Sequence, residues 1–417
     1  MSRATFLIRQ IPFRALLTSR LLVVLANQMA GVALGWRIYD LTKNPLWLGY
    51  IGLAEAIPAI GLALFAGHVA DNSSRHKQMR LTITLLLFCL FLRTISTVGT
   101  LLSPDTALST MLTVDLQLVV LFVSIVLDGV ARAFFSPAYF GLQSEVLSKA
   151  DLADGASMLS GTWQTAAVIG PAIGGLIYGI VGPTATFGLS MALCTGSLLA
   201  LRFLPRRPKP DNPHRLPMIL SIQQGLRFVL RHPIILGAIT LDLFAVLLGG
   251  AVALLPAVSD KILHAGPEGL GILRAAPAVG AVLMAIALFG RTIRWGYGPT
   301  LLWSVAGFGA CMVVFGLSEV FWISLLALAI SGALDHISVV IRITIMQTYT
   351  PETMRGRVSA VESIFITSSN EIGSFESGLT ASWFGLQRSI VLGGVLSMGV
   401  TGLIAGMVAP LRKLRRV

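Results

Sequence analysis

Charged side chains are scarce in this sequence. Only 12% of its 417 residues are Asp, Glu, Lys or Arg, whereas a soluble globular domain carries roughly 25%. The deficit runs along the whole chain, and hydrophobic residues make up 55% of it. This composition argues against a soluble domain with a single anchor and indicates an integral membrane protein.

Cysteines and catalytic motifs are also few. The three cysteines, Cys89, Cys194 and Cys311, fall in different apolar runs, and none has metal-ligand spacing to another. The chain has no Gly-rich loop ending in Lys-Ser or Lys-Thr, no Gly-x-Ser-x-Gly and no His-Glu-x-x-His. We therefore expect no metal, no cofactor and no enzymatic activity.

Long apolar runs are what the sequence has in abundance. A membrane-spanning helix needs about 20 mostly apolar residues, and the runs here are too continuous for the strands of a barrel. We therefore predict an all-α membrane protein with twelve transmembrane helices. The predicted spans are 13–38, 46–69, 81–102, 114–137, 155–181, 183–203, 234–258, 268–290, 299–317, 320–345, 358–383 and 388–410.

One longer polar stretch, residues 204–233, separates the first six spans from the last six. It predicts an N-terminal six-helix bundle over 1–203, a cytoplasmic linker over 204–233 and a C-terminal six-helix bundle over 234–417. Within the linker, residues 220–230 are weakly amphipathic and are expected to form a helix on the inner leaflet.

The basic residues are distributed unevenly, which bears on the net charge of +12. Of the 31 lysines and arginines, six lie deep within predicted spans and three lie in outer connections or at an outer span end, which leaves 22 for the inner segments and the inner span ends. This asymmetry follows the positive-inside rule. It places both termini in the cytoplasm and the protein in the cell inner membrane, and it argues that the partner is the lipid bilayer rather than nucleic acid.

The two halves share a weak internal repeat. Residues 54–61 match residues 273–280 at an offset of 219, and this match aligns Pro58 with Pro277. The same offset aligns Gly31 with Gly250. Six plus six spans in the same orientation predict two pseudo-symmetric bundles related by a parallel repeat.

The turn after the second span contains Gly67, Asp71 and Arg75 among basic neighbours. This pattern resembles the signature loop of the major facilitator superfamily of secondary transporters, although Asn72 stands where the family usually has a basic residue. The resemblance implies twelve helices, in the major facilitator fold, that transport a substrate by alternating access.

Three further stretches carry the resemblance into a branch of that superfamily. Residues 170–175 read Gly-Pro-Ala-Ile-Gly-Gly, similar to the antiporter motif of drug–proton exporters, although a plain helix-packing patch would look the same. Residues 350–360 and 368–378 look like the branch that includes the enterobactin exporter and macrolide efflux pumps. The arginine that many drug–proton antiporters carry in the fourth span would fall at Ile125, so a proton relay through that arginine is not expected.

Charged residues inside spans are candidates for function because each costs about 2.5–3.5 kcal/mol to insert near a helix centre. Glu371 lies near the middle of its span and is our first candidate to take up and release a proton, with Glu55 and Asp242 as the others. A permanently paired structural Glu371 is the alternative. Asp242 could also bind a cationic group or pair with Arg20.

Other charges suit a conformational switch. Glu55 and Arg274 hold equivalent places in the two halves and could form a gate pair, or each could pair within its own half. Asp71, Arg75 and Asp128 are expected to form a cluster near the cytoplasmic end of the fourth span. The predicted switch residues are Gly67, Asp71, Arg75, Asp128, Arg132 and Arg274.

A substrate cavity is expected among deep polar and aromatic side chains, since such a mixture suits an amphiphilic ligand. The predicted lining residues are Asn27, Gln28, Arg93, Trp163, Gln164, Asp335 and Asn370. The favoured function is proton-coupled export of a small amphiphilic molecule, a siderophore-like metabolite or a drug, by a monomer. The alternatives are proton-coupled uptake of a sugar, an organic acid or a lipid, and, from another class, a scramblase or membrane enzyme.

Overall fold

The computed structural model describes residues 3–101, 113–148, 151–205, 218–289 and 296–415, and within these ranges the secondary structure is helical, without strands. The predicted all-α class is thereby confirmed. The helices are α1 Arg3–Arg9, α2 Ile11–Thr42, α3 Pro45–Asn72, α4 Arg75–Thr97, α5 Val114–Val146, α6 Leu152–Val181, α7 Pro183–Ala200, α8 Met218–Arg231, α9 Pro233–Gly249, α10 Leu255–Lys261, α11 Gly266–Leu288, α12 Tyr297–Leu317, α13 Phe321–Tyr349, α14 Arg355–Phe384, α15 Leu386–Met407 and α16 Ala409–Arg412.

Eleven candidate spans among the described residues are long and apolar enough to cross a membrane. Helix α14, at 30 residues, is also long enough but is more polar than the rest. Its low hydropathy comes from serines and from Glu362, Asn370, Glu371 and Glu376. A helix of this composition needs polar surroundings along part of its length.

Single glycines make two of the one-residue connections between helices. Gly182 alone separates α6 from α7, and Gly385 alone separates α14 from α15. Both have positive φ, 96° and 87°, in a region of backbone space that residues with a Cβ seldom adopt. A proline at the first position of α7 then starts the next helix without loss of a hydrogen bond.

The seventh predicted span, 234–258, is not one continuous helix. Helix α9 ends at Gly249, a 3-10 turn follows over Ala251–Leu254, and α10 begins at Leu255. Gly250 has left the helical region, with ψ at 36°. Consecutive glycines carry a high entropic cost in a helix, which explains why the apolar run breaks at this point.

The chain divides into two compact units. Unit 1 comprises Met1–Thr42, Ala54–His214 and Gly266–Ala275, and unit 2 comprises Lys43–Leu53, Arg215–Ala265 and Ala276–Val417. The first turns of α3 thus pack within unit 2, and those of α11 within unit 1. In unit 2, the buried Val229 of helix α8 packs in the hydrophobic core. Gln224 of the same helix accepts a hydrogen bond from Arg357 at 2.5 Å.

Candidate functional site

The most concentrated group of buried charges lies in unit 2. Asp242 on α9 forms an ion pair with Arg342 on α13, and the two residues are only 6% and 4% exposed. The predicted pairing of Asp242 with Arg20 is therefore wrong. Arg342 sits on a helix of the same unit and reaches the carboxylate directly.

A small cavity adjoins this ion pair. It has room for about one water molecule, and its walls include Asp242, Ser304, Phe308, Asp335 and Ser338. Ser338 is 2% exposed, and its hydroxyl has no hydrogen-bond partner in the described part of the chain. Buried hydroxyls normally have a partner, so this one is available to a bound water or ion.

Asp335 is the carboxylate in this group that lacks a counter-ion. Arg342 already pairs with Asp242, and no donor among the described residues bonds to the Asp335 carboxylate. The group of Asp242, Asp335 and Arg342, which we call the acidic cluster, therefore carries one net negative charge when both acids are ionised. One proton makes it neutral.

The sequence contained a signal for this cluster. Asp335, Ser338 and Arg342 are spaced i, i+3 and i+7 on α13, which puts them on one face of the helix. Asp335 was predicted to line the substrate cavity, whereas Ser304, Ser338 and Arg342 were not among the predicted site residues.

Two further ion pairs lie in unit 1. Arg93 on α4 donates from Nη2 to Asp128 on α5 at 2.7 Å and from Nε to Ser124 at 2.9 Å. Arg132 donates to Glu55 at 2.5 Å. Arg93 is therefore buried in a pair rather than lining an open cavity.

Of the two alternatives for Glu55, the structure shows pairing within its own half, and it corrects the predicted position of Asp128. Glu55 pairs with Arg132 and not with Arg274, whose guanidinium lies beside Gly31. Asp128 and Arg132 are in the middle of α5 rather than near its end, because that helix continues through Pro137 to Val146.

Arg75 and Asp128, two members of the predicted cluster with Asp71, do not contact each other in the structure. Arg75 contacts Glu145 at 3.6 Å and donates to the Gly141 carbonyl at 2.9 Å, whereas Asp128 is engaged by Arg93. The surroundings of Gly67 and the side chain of Asp71 lie outside what the structure describes. Arg75 therefore ties the start of α4 to the last turns of α5.

Glu371, our first candidate proton carrier, is buried in α14 where the first half of α3 packs against it. A Cβ at Gly52 would stand 2.8 Å from the Ser374 Cβ and 3.5 Å from a Glu371 carboxylate oxygen. Tyr50 stacks on Phe375 one turn away. Glu371 therefore sits at a close helix–helix contact, and its neighbour Asn370 is exposed and bonds to the Ile366 carbonyl.

The remaining predicted cavity residues lie on α2 and α6, which pack against each other. Asn27 and Trp163 are exposed, while Gln28 and Gln164 are half-buried. The Cβ of Gln28 lies against Gly170 of α6. These four residues remain predicted lining residues of the substrate cavity.

The glycines of the Gly-Pro-x-x-Gly-Gly stretch are packing positions. A Cβ at Gly174 would stand 2.8 Å from the Met29 Cα of α2, and one at Gly175 would stand 2.7 Å from the Gly271 Cα of α11. Small residues allow helices to approach this closely in a membrane. The stretch thus joins α6 to α2 on one side and to α11 on the other.

This packing gives a direct prediction for stability. Gly175→Ala should destabilise the protein by about 1–3 kcal/mol, because the new methyl group would overlap the backbone of α11. Gly161→Ala in the same helix meets nothing within 4 Å, so it should be neutral or stabilising by up to about 1 kcal/mol. Thermal unfolding of the two variants in detergent would check this difference, and equal melting temperatures would refute it.

Arg20 on α2 stands apart from these ion pairs. Its guanidinium carbon lies 4.1 Å from the centre of the Tyr139 ring on α5. The Nε of Arg20 and the hydroxyl of Tyr139 are buried and lack a hydrogen-bond partner outside this pair within the described ranges.

No group of three or more His, Cys, Asp or Glu suited to a metal ion occurs among the described residues. The ionisable groups that line this site are carboxylates and one arginine, with one carboxylate in excess.

Comparisons with known proteins agree over nearly the whole chain. The family model described as "Transmembrane secretion effector" matches residues 4–416. The Enterobactin exporter EntS of Shigella boydii is 26% identical over 412 residues, which is 97% of this chain and 93% of that protein. EntS of Shigella flexneri gives the same identity and coverage.

Solved structures show the same fold. The nucleoside transporter NupG superposes with a TM-score of 0.74 at 13% identity and covers 95% of this chain and 100% of its own. A D-xylose-proton symporter gives 0.72 at 14%, covering 94% and 96%. A bacterial homologue of the iron transporter ferroportin gives 0.69 at 15%, covering 94% and 98%. These identities support the fold alone.

Proposed function

The chain belongs to the transmembrane secretion effector family of the major facilitator superfamily, and from this premise we propose that it exports a small amphiphilic molecule in exchange for protons. The proposal places the protein in the cell inner membrane as a monomer, with both termini in the cytoplasm. It is a multi-pass transporter, and its cargo is a siderophore-like metabolite or a drug.

The observation that carries the proton coupling is the acidic cluster. Its net charge of −1 lies among buried residues of unit 2, where an unpaired ionised carboxylate is costly. Protonation of Asp335 removes this cost, while the Asp242–Arg342 pair remains electrically neutral. A group that is neutral with one proton and strained without it is suited to couple proton uptake to a change of conformation.

The position of Asp335 favours it over Glu371 as the proton carrier. Asp335 lines a cavity with room for about one water, so a proton can reach it, and Ser338 adds a hydroxyl without a partner. Glu371 is enclosed where α3 and α14 pack closely. Glu362 of α14 adds further negative charge near Asp242 and Arg342.

The direction of transport is proposed from the family and the relatives. The family is described as a secretion effector, and the two EntS relatives are named as exporters. Uptake of a sugar, an organic acid or a lipid remains the alternative reading of the same fold. The family and the relatives are transporters, which argues against a membrane enzyme.

Everted membrane vesicles test the proposal. With the lumen acidified, an exporter that exchanges cargo for protons should accumulate a fluorescent amphiphile such as Hoechst 33342 inside, and nigericin should release it. A proton-coupled uptake carrier would drive the dye out of the lumen, and a scramblase would move labelled lipid without any gradient. Either result, or no gradient-dependent movement across a panel of amphiphiles, would overturn the proposal.

A further inference from the structure

Arg20 is an arginine inside a long helix that has no carboxylate partner in the described part of the chain. Four comparable arginines in the long helices do have acidic partners. These pairs are Arg37–Asp40, Arg93–Asp128, Arg132–Glu55 and Arg342–Asp242. A guanidinium in a membrane span is normally paired or turned toward water, so the lack of a carboxylate partner for Arg20 needs an explanation.

The residues around Arg20 suggest an explanation. Its guanidinium lies over the ring of Tyr139, which is 3% exposed. The Nε–H of Arg20 and the hydroxyl of Tyr139 are buried, and neither has a hydrogen-bond partner outside this pair among the described residues. A guanidinium and a hydroxyl with donors left over are suited to a ligand that brings acceptor oxygens.

We propose that Arg20 and Tyr139 form a subsite for an anionic oxygen group of the cargo, a carboxylate or an ionised phenol. This inference rests on the proposed export function and adds the chemical class of the cargo. Charge-assisted hydrogen bonds from Arg to an oxyanion are among the stronger polar contacts in proteins.

The surroundings also favour an aromatic body beside the anionic group. Phe135 stacks on Tyr139 with ring centres 6.1 Å apart and planes 7° from parallel. Phe135 is half-buried, so part of the aromatic surface that it forms with Tyr139 is accessible. An aromatic acid presents a flat apolar face and an oxyanion in this same arrangement.

The plain alternative is that Tyr139 merely shields the arginine through a cation–π contact. That alternative predicts no preference for an acid over a neutral molecule of the same shape. It also predicts that the tyrosine hydroxyl is dispensable for binding, because the ring alone provides the contact.

Equilibrium binding to the purified full-length protein separates the two. The probes are 1-naphthoate and its neutral analogue 1-naphthalenemethanol, measured by fluorescence in a maltoside detergent without phosphate. We expect the wild type to bind naphthoate at least about tenfold more tightly than the alcohol. Arg20→Gln should abolish the preference, Arg20→Lys should retain part of it, and Tyr139→Phe should weaken naphthoate binding by about three- to tenfold.

Arg14→Gln is the matched control, because Arg14 is exposed on the same helix and its loss removes the same charge. It should keep the preference. Equal affinity of the wild type for both probes, or an unchanged preference in Arg20→Gln, would overturn the subsite. If Arg20→Gln does not fold, an unchanged naphthoate affinity in Tyr139→Phe overturns it equally.

These binding measurements use no gradient, so they are independent of transport. Failure of dye accumulation in everted vesicles would overturn the export proposal. A wild-type protein that exports the dye but shows no preference for the acid over the alcohol would overturn the subsite alone.

Discussion

Asp335→Asn is expected to reduce proton-driven export to the level of vesicles that lack the protein. Asparagine keeps the size and polarity of the side chain but cannot ionise, so the acidic cluster becomes permanently neutral. Without a carboxylate that gains and loses a proton, the imposed pH gradient cannot drive transport. Initial rates of dye accumulation in everted vesicles measure this loss.

Glu371→Gln is the informative comparison for Asp335→Asn, because the sequence alone favoured Glu371. The close packing of α3 on α14 leads us to expect that Glu371→Gln slows transport by less than Asp335→Asn and leaves its dependence on pH in place. Full gradient-driven export by Asp335→Asn would remove Asp335 as the carrier. If Glu371→Gln lost export at the same time, the role would return to Glu371.

Arg342→Met is expected to destabilise the protein by about 3–5 kcal/mol. The substitution keeps an unbranched apolar stem but leaves the Asp242 carboxylate, which is 6% exposed, buried without its partner. An uncompensated buried charge is far more costly than the loss of a pair as a whole. Thermal unfolding in detergent should show a large fall in melting temperature.

The double variant Asp242→Asn with Arg342→Met checks the reason for that fall. If the cost comes from the stranded carboxylate, its neutralisation should restore most of the stability. The matched control is Arg355→Met, because Arg355 lies at the exposed start of α14 and its loss should change stability by less than about 1 kcal/mol. A double variant as unstable as Arg342→Met alone would show that packing rather than charge is responsible.

The helices could be predicted because local sequence is enough to specify them. Apolar runs of about 20 residues specify helices whatever surrounds them, and the predicted ends at Val181 and Leu317 coincide with the observed ones. The break after Gly249 was missed because an apolar run reads as continuous even where two glycines interrupt the helix.

Partner choice between charged side chains was less predictable. Asp128 faces Arg93 rather than Arg75, because α5 continues to Val146 and brings Glu145 level with the start of α4. The relative position of two packed helices along their axes results from packing of whole helices and is not encoded in any short segment. The i, i+7 spacing of Asp335 and Arg342 on α13 was available from the sequence, but their partner Asp242 lies on another helix.

The internal repeat shows how far local patterns reach. Pro58 and Pro277 align at one offset, and both lie inside helices, α3 and α11. Gly182 and Gly385 make equivalent one-residue turns in the two units, a correspondence that became evident only with the backbone angles. Leu127-Asp128 and Leu334-Asp335 also correspond in the fourth and tenth spans, although the acidic cluster itself belongs to unit 2.

Proton flux in proteoliposomes containing only the purified protein tests the central claim most directly. With an internal pH dye and no imposed gradient, a cargo gradient directed into the lumen should drive protons out of it, and Asp335→Asn should show no such movement. Cargo movement in the wild type with no accompanying pH change would contradict exchange of cargo for protons.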